Sequence, residues 1–259
     1  MIDTKHTSAL PSHYDADAEH YDAFNEKRSE TMNQVIEDLL KEHKIKSVLD
    51  LTCGTGSQVF WLKKRGYQIV GSDINAKMLD VARNRARQEA LDSTFVDGDM
   101  RSSVLGTFDA VLTIFNAVGH LTREDFEKAM KNVHKNLKVG GIYIFDIFNL
   151  EYFLEGDNIT KLTIDWMEVK DNKKLREIQY STVNDEGVLA SYTTSFECEF
   201  SGKTTKTHEG SQTLQIYSAD QLKDMLERNG FDLVLQRGLE SQHLSKTQTE
   251  RILTVARKI

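Results

Sequence analysis

A doubly wound α/β fold, built on one mostly parallel sheet of seven strands, is what this 259-residue sequence predicts. Three observations carry that prediction. Short apolar segments alternate with amphipathic helical ones through the first 150 residues and again after residue 218, the pattern of a parallel sheet covered on both faces. The first strand runs into a glycine-rich turn, VLDLTCGTG at 48–56, which lets backbone approach a ligand with no Cβ in the way. Acidic residues follow three successive strands, at Asp50, Asp73 and Asp99. In such sheets the C-terminal strand ends share one ligand-binding crevice.

Taken in order, residues 14–28 (YDADAEHYDAFNEKR) read as a polar helical arm. Met32, Val35, Ile36, Leu39 and Leu40 then recur at helical spacing, giving a covering helix to about Lys44. Strands are expected at 47–52, 67–72, 94–96, 109–115 and 141–147, with helices near 57–65, 75–90 and 123–137. In the last of these, Phe126, Met130, Val133 and Leu137 share one face. From 160 to 217 the chain turns rich in Thr, Tyr, Ile and Val, with turn signals at Asp171-Asn172, Asn184 to Gly187 and Ser201-Gly202. Tyr192, Thr194, Phe196, Cys198 and Phe200 alternate there, so the segment reads as an inserted antiparallel meander. Ser218 with Gln221 forms a capping box, Leu222, Met225 and Leu226 make an apolar face, and Asn229-Gly230 ends that helix. Strands at 231–235 and 251–256 complete the sheet. The expectation is one domain: an arm or lid (1–45), a ligand-binding core (46–150), an inserted subdomain (151–217) and a sheet completion (218–259).

Composition narrows the function. Hydrophobic residues are 39% and charged residues 28%, and the formal net charge is −7. An acidic balance speaks against a nucleic acid as the main partner. Cys53 and Cys198 cannot build a disulfide framework or a cysteine-rich zinc site, and no cluster of carboxylates suggests a metal. The segment MIDTKHTSAL lacks an apolar signal core. No apolar run approaches ~18 residues, so no membrane span is expected. The cytoplasm is the expected compartment, and a homo-oligomer remains open.

Asp73, some twenty residues beyond Asp50 at the end of the second strand, is placed to bind ribose hydroxyls. Asp99, in GDMR after the third strand, can accept from an adenine amino group. A dehydrogenase reading is weaker, because CGTG lacks the GxGxxG spacing.

These motifs resemble the class I S-adenosylmethionine-dependent methyltransferases over about residues 14–150 and 218–256. VLDLTCGTG is similar to the family's first motif, with Thr52 where alanine or glycine is usual; GSDINAKML (71–79), GDMR (98–101) and LKVGGIYIFD (137–146) are similar to later ones. The resemblance implies the Rossmann-like methyltransferase fold, S-adenosylmethionine as cofactor and S-adenosylhomocysteine as product. It places Gly54 and Gly56 along the methionine part and Asp73 on the ribose. Ile74 and Met78 flank the adenine, Asp99 with Met100 holds its edge, and Asp50, Thr52 and Phe115 complete the cofactor-binding set.

A closer resemblance concerns the methyl acceptor. FNAVGHL (115–121), DIFNLEYFL (146–154) and YDAFNEKR (21–28) resemble segments of glycine and sarcosine N-methyltransferases. This implies a small-molecule amine as substrate, Asn116 and His120 in its pocket, and Arg28 on the cofactor carboxylate. Tyr14 and Tyr21 can present rings or hydroxyls to the cationic centre, and Tyr21 stands with Asn116 and His120 as a catalytic candidate. One departure is Phe148, where those enzymes carry an arginine for the substrate carboxylate. Either another cation such as Arg176 serves, or the substrate is not a small amino acid. The meander and TERI (249–252) also resemble amino-sugar N,N-dimethyltransferases. A hydroxyl acceptor would need a base, for which His120 is the candidate. Base methylation of DNA is set aside, since IFNAVG holds the place of a proline-rich motif and Pro11 is the one proline. A catalytically silent cofactor-binding scaffold is the remaining alternative, opposed by the intact Asp50, Gly54, Gly56 and Asp73.

Overall fold

A computed structural model describes residues 5–15, 18, 21–155, 157–170, 173–200, 202–239 and 243–259; of residues 21–28, 170 and 173 it describes the backbone only. The described elements run α1 (Tyr21–Glu42), β1 (Ser47–Asp50), α2 (Ser57–Lys63), β2 (Gln68–Asp73), α3 (Ala76–Gln88), β3 (Thr94–Asp97), β4 (Phe108–Thr113), α4 (Arg123–Asn136) and β5 (Leu137–Phe148). After β5 come α5 (Leu150–Leu154), β6 (Ile164–Lys170), β7 (Lys173–Val183), β8 (Val188–Glu199), β9 (Thr204–Gln215), α6 (Ala219–Arg228), β10 (Phe231–Gly238) and β11 (Arg251–Lys258).

Seven strands form one sheet in the order β10-β11-β5-β4-β1-β2-β3, and the other four form a second sheet, β6-β7-β8-β9. β3, β2, β1, β4 and β5 are mutually parallel, and β11 runs antiparallel between β5 and β10. The central strands are almost wholly apolar because both faces are covered. One face packs α4, α5 and α6 through Phe126, Met130, Tyr152, Leu222 and Leu226. The other packs α1, α2 and α3 through Met32, Ile36, Leu40, Val59 and Leu79.

The predicted sheet stands, with shifts at the strand ends. β5 starts at Leu137, four residues before the predicted 141, and β10 continues past 235 to Gly238. From Tyr21 on, the predicted arm and the covering helix are one continuous α1. The second half of the predicted arm lacks an apolar stripe of its own, but the helix propagates through it from the buried turns at Met32 to Leu40. Both bonds of the capping box are present: Gln221 N donates to Ser218 Oγ at 3.2 Å and Ser218 N donates to Gln221 Oε1 at 3.0 Å. The turn from Asn184 to Gly187 joins β7 to β8, while Asp171-Asn172 and Ser201 lie outside the described residues. Phe200 falls beyond β8 and is exposed, so the predicted alternation stops at Cys198.

Gly56 owes its identity to packing. Its φ is +91°, and a Cβ there would lie 2.8 Å from Phe60 and 3.1 Å from Phe95. These two rings also pack on each other, at 5.7 Å between centroids. We expect Gly56→Ala to destabilise the fold by about 2–4 kcal/mol, combining left-handed strain with overpacking. Urea unfolding measures this; a loss below about 1 kcal/mol would show that the two rings yield freely.

Candidate active site

The sheet's C-terminal edge opens into a part-enclosed cleft. Its floor is the turn after β1. There Gly54, with φ +52°, brings its N–H to Asp73 Oδ2 at 2.8 Å. Asp73 Oδ1 accepts from Asn75 N at 2.9 Å. Burial pushes the Asp73 carboxyl up, and these N–H groups oppose it. Thr52, Ile74, Met78, Asp99, Met100 and Phe115 join Gly54 and Asp73 along the walls. Eight of the predicted cofactor residues are thus gathered in one cleft. Ile74, Met78, Met100 and Phe115 make it apolar where a flat aromatic base would need faces to lie on. Thr52 Oγ1, buried and without a protein partner, is an unused polar atom in the same cleft.

Asp50 and Gly56 stand behind that surface. Asp50 is 1% exposed; its Oδ1 accepts from Thr52 N at 3.1 Å and its Oδ2 has no partner. Burial raises its pKa to about 7, with Thr52 N–H opposing and the Asp73 charge assisting. Asp99 lines the cleft, but both its oxygens accept from the Arg101 guanidinium at 2.6–2.9 Å. Burial would raise the Asp99 carboxyl, and Arg101 more than reverses that. Arg101 also bonds Asp125 at 2.8 Å. Tyr21 and Arg28 belong to α1, and their side chains lie outside the described residues.

The acceptor-side candidates follow β4. Phe115 and Asn116 both have left-handed backbones, φ +63° and +58°, a strained conformation for residues other than glycine. Asp146, fully buried at the end of β5, holds them there. Its Oδ1 accepts from Phe115 N at 2.6 Å, and the Asn116 N–H also bonds the carboxylate. Its Oδ2 accepts from Arg251 at 2.9 Å. Asn116 is not among the residues that line the cleft; it lies between two that do, Phe115 and Ala117, and is buried with Oδ1 unpartnered. His120 lines the cleft with Nε2 2.7 Å from the Tyr14 hydroxyl, and its buried Nδ1 has no partner. Burial, with His13 and His6 nearby, lowers its pKa to about 4, so the ring is neutral at pH 7.

Tyr14 arrives on a strap, residues 5–15, that crosses the cleft. On one side Ala9 N donates to His120 O at 2.8 Å, Ser8 Oγ donates to Asp125 at 2.6 Å, and His6 contacts Leu121 O at 3.0 Å. On the other, Asn75 Nδ2 donates to Pro11 O at 2.7 Å and to Asp15 at 3.0 Å. The strap brings Ala9, Leu10 and Pro11 over the opening. Sequence reading placed a lid here but missed its clasp, Asn75, whose visible signal was that of a helix cap. It also missed Asp146, which closes the quoted LKVGGIYIFD segment. Arg176, the proposed substitute cation, is not in the cleft. It is exposed on β7 and bonds Asp165 through two nitrogens at 2.7 and 2.8 Å. Among the described residues no group of three or more His, Cys, Asp or Glu could hold a metal ion. No described helix is long and apolar enough to cross a membrane.

With this geometry in view, comparisons with known proteins show what the chain resembles. Residues 48–141, from β1 into β5, match the family described as a methyltransferase domain. The whole chain is similar in structure to an S-adenosylmethionine-dependent methyltransferase from Clostridium acetobutylicum, with a TM-score of 0.74 and 19% identity over 95% of this chain and 98% of that one. Residues 48–141 are thus similar to a methyltransferase domain, and the chain shares the fold of that S-adenosylmethionine-dependent methyltransferase. Among named relatives, the glycine/sarcosine N-methyltransferase of Parasynechococcus marenigrum is 35% identical over 142 residues, covering 52% of this chain and 49% of that protein. The dTDP-3-amino-3,4,6-trideoxy-alpha-D-glucopyranose N,N-dimethyltransferase of Streptomyces venezuelae is 34% identical over 102 residues, 39% of this chain and 41% of that protein. The chain spans about half the length of the curated relatives it matches.

The buried Asp50 makes a prediction about stability. Its folded pKa lies above its unfolded value, so the folded state holds the proton over a range where the unfolded state has lost it. Stability from this group is full at low pH and falls as pH rises from about 4 to about 7. Asp50→Asn should abolish that slope and gain on the wild type by up to about 4 kcal/mol at pH 8. Urea unfolding at pH 5 and pH 8 tests this; an equal difference at both pH values would mean that Asp50 ionises normally.

Proposed function

We propose that the chain binds S-adenosylmethionine in the cleft and methylates the nitrogen of a small-molecule amine. Asp73 would hold the ribose, Thr52 and Gly54 the methionine part, and Ile74, Met78, Met100 and Phe115 the adenine. The cofactor supplies an electrophilic methyl group on a sulfonium, which leaves the chain to position the acceptor and exclude water. The strap is suited to exclusion, since it lays Ala9, Leu10 and Pro11 across the opening.

The observation that carries nitrogen over oxygen is the setting of His120, with Nε2 against the Tyr14 hydroxyl at 2.7 Å and Nδ1 buried without a partner. A hydroxyl needs a base whose pKa is near the working pH. A ring lowered to about 4 is a poor one, so its role is to orient an acceptor that already has a free lone pair. Asn116 offers its unpartnered Oδ1 to an acceptor N–H. We favour an acceptor of glycine or sarcosine type, supported by the likeness around Asn116 and His120 and by the glycine/sarcosine relative. The second reading, an amino sugar, is favoured by Phe148 and by the amino-sugar relative.

The deciding experiment measures S-adenosylhomocysteine release across glycine, sarcosine, amino sugars and hydroxy compounds. Release with a hydroxy compound and with no amine would overturn the nitrogen assignment. Asp73→Ala should weaken S-adenosylhomocysteine binding at least ~10-fold, because charge-assisted hydrogen bonds contribute roughly 1.5–3 kcal/mol each. Calorimetric titration reads this directly, and an unchanged affinity removes Asp73 from the site. Asn116→Ala should lower kcat on the order of 100-fold through misalignment, with cofactor affinity nearly intact. Full activity on the true acceptor would put the amine elsewhere.

A further inference from the structure

Asn75 is 2% exposed, and both ends of its side-chain amide are used. Its Oδ1 accepts from Met78 N at 2.9 Å and caps α3. Its Nδ2 donates to Pro11 O at 2.7 Å and to Asp15 Oδ1 at 3.0 Å, both on the strap. The partners fix which end is which, since a backbone N–H only donates and a carbonyl only accepts. Capping alone does not select asparagine here. Asparagine, aspartate and serine cap helices about equally well. Of the three, only asparagine carries an acceptor and a donor on separate atoms.

The residue stands on the rim of the cleft. Ile74, Asn75 and Met78 all line it, and Asn75 N bonds Asp73 Oδ1 at 2.9 Å. From there the strap reaches the opposite rim. Ala9 N, Ser8 Oγ and His6 bond His120 O, Asp125 and Leu121 O on that side. A tight turn follows on the Asn75 side, with His13 N bonded to Leu10 O at 3.0 Å and Asp15 N to Ser12 O at 3.1 Å. This turn carries Tyr14, whose hydroxyl lies 2.7 Å from His120 Nε2. Lys77 adds an ion pair with Asp15 at 3.4 Å, but its side chain is 60% exposed, and pairs of that kind contribute little. Asn75 thus holds the strap from beneath with a buried donor, and through the strap it positions Tyr14 over the cleft.

We infer that Asn75 is the clasp of a gate: it positions the strap over the cleft, and the cofactor enters or leaves only when the Asn75 amide releases Pro11 O and Asp15. The bond is suited to reversible opening. Pro11 is exposed, so water can replace the amide at its carbonyl when the strap lifts, and the helix cap made by the other end of the amide persists throughout. Cofactor exchange is thereby separated from the integrity of α3. The inference rests on the proposed reading of the cleft as the S-adenosylmethionine site, but closure of the strap can be tested with no ligand present.

The first arm compares amide hydrogen exchange in the free wild type and in Asn75→Ser, which keeps a capping oxygen and removes the amide donor. Exchange of the strap peptide that contains Ala9 should quicken at least ~10-fold in the variant, because two hydrogen bonds are lost, one of them to a carboxylate. The amides of Met78 and Leu79, which bond Asn75 Oδ1 and Asn75 O, should keep their protection. Asp15→Ala, which leaves α3 and Asp73 untouched, should shift the strap in the same direction by a smaller factor. Equal exchange of the strap in wild type and Asn75→Ser would overturn the clasp. Loss of protection in α3 to the same extent as in the strap would make Asn75 a cap alone, and would overturn it too.

The second arm measures S-adenosylhomocysteine binding by rapid mixing. A clasp that closes the strap equally in the empty and the occupied protein changes rates without changing the equilibrium. Asn75→Ser should therefore raise the association and dissociation rate constants together, each at least ~10-fold, and leave Kd within about threefold of the wild type. A rise in the dissociation rate alone, with weaker affinity, would mean that Asn75 holds the cofactor directly and would overturn the gate. Unchanged rates would overturn it as well. If the wild type does not bind S-adenosylhomocysteine, the proposed function fails, and hydrogen exchange alone then decides whether Asn75 clasps the strap.

Discussion

The Asp146 carboxylate is the contact on which the turn after β4 depends. It is wholly enclosed, and it joins three pieces of chain distant in sequence: the end of β5, the backbone turn after β4, and Arg251 at the start of β11. Burial pushes its pKa up, while Arg251 and the two backbone N–H groups oppose that push. Two successive left-handed residues would relax if their N–H groups lost their acceptor. The direction in which Asn116 and the following 3₁₀ turn leave β4 therefore rests on one side chain. Gly119 in that turn fits closely against Ile147 and the backbone of Gln215, so the same contact locates the second sheet against the first.

The floor of the cleft and its far wall are built by different means. The floor is local: a glycine turn, an aspartate at the next strand end and a helix cap, all within residues 50–78 and all fixed by backbone N–H groups. The far wall is assembled from the N-terminal strap and the turn after β4, which Asp146 on β5 and Arg251 on β11 support from behind. This division follows from sheet order. β1 and β2 are neighbours both in sequence and in space, whereas β11 reaches β5 only after a long excursion through the meander.

That difference explains what the sequence could disclose. Gly54 and Asp73 were legible because their spacing is a local consequence of strand–turn–helix geometry. The meander was legible from period-two alternation in Tyr192 to Cys198. Arg251 was not, since nothing in a one-dimensional pattern says that it will meet the carboxylate of Asp146, 105 residues earlier. Asn75 looked like an ordinary N-cap, which it is: its Oδ1 caps α3 through Met78 N, and only the opposite end of its amide clasps the strap. Gly56 misled in the other direction, because a glycine in a ligand-binding turn and a glycine making room for Phe60 and Phe95 are identical in sequence.

β11 is the last strand of the sheet in chain order, yet it lies inside the sheet, with β5 on one side and β10 on the other. During synthesis from the N-terminus, the growing chain can pair β1 to β5 early, but β10 has nothing to pair with until residues 251–258 have emerged. Until then the outer edge of β5 exposes a row of unpaired N–H and C=O groups beside Ile142, Ile144 and Phe145, a surface prone to pairing with other chains. Closure of that edge and arrival of Arg251 at Asp146 are one event. A nascent or truncated chain that lacks β11 thus keeps an open strand edge and leaves the carboxylate under the turn after β4 without its arginine.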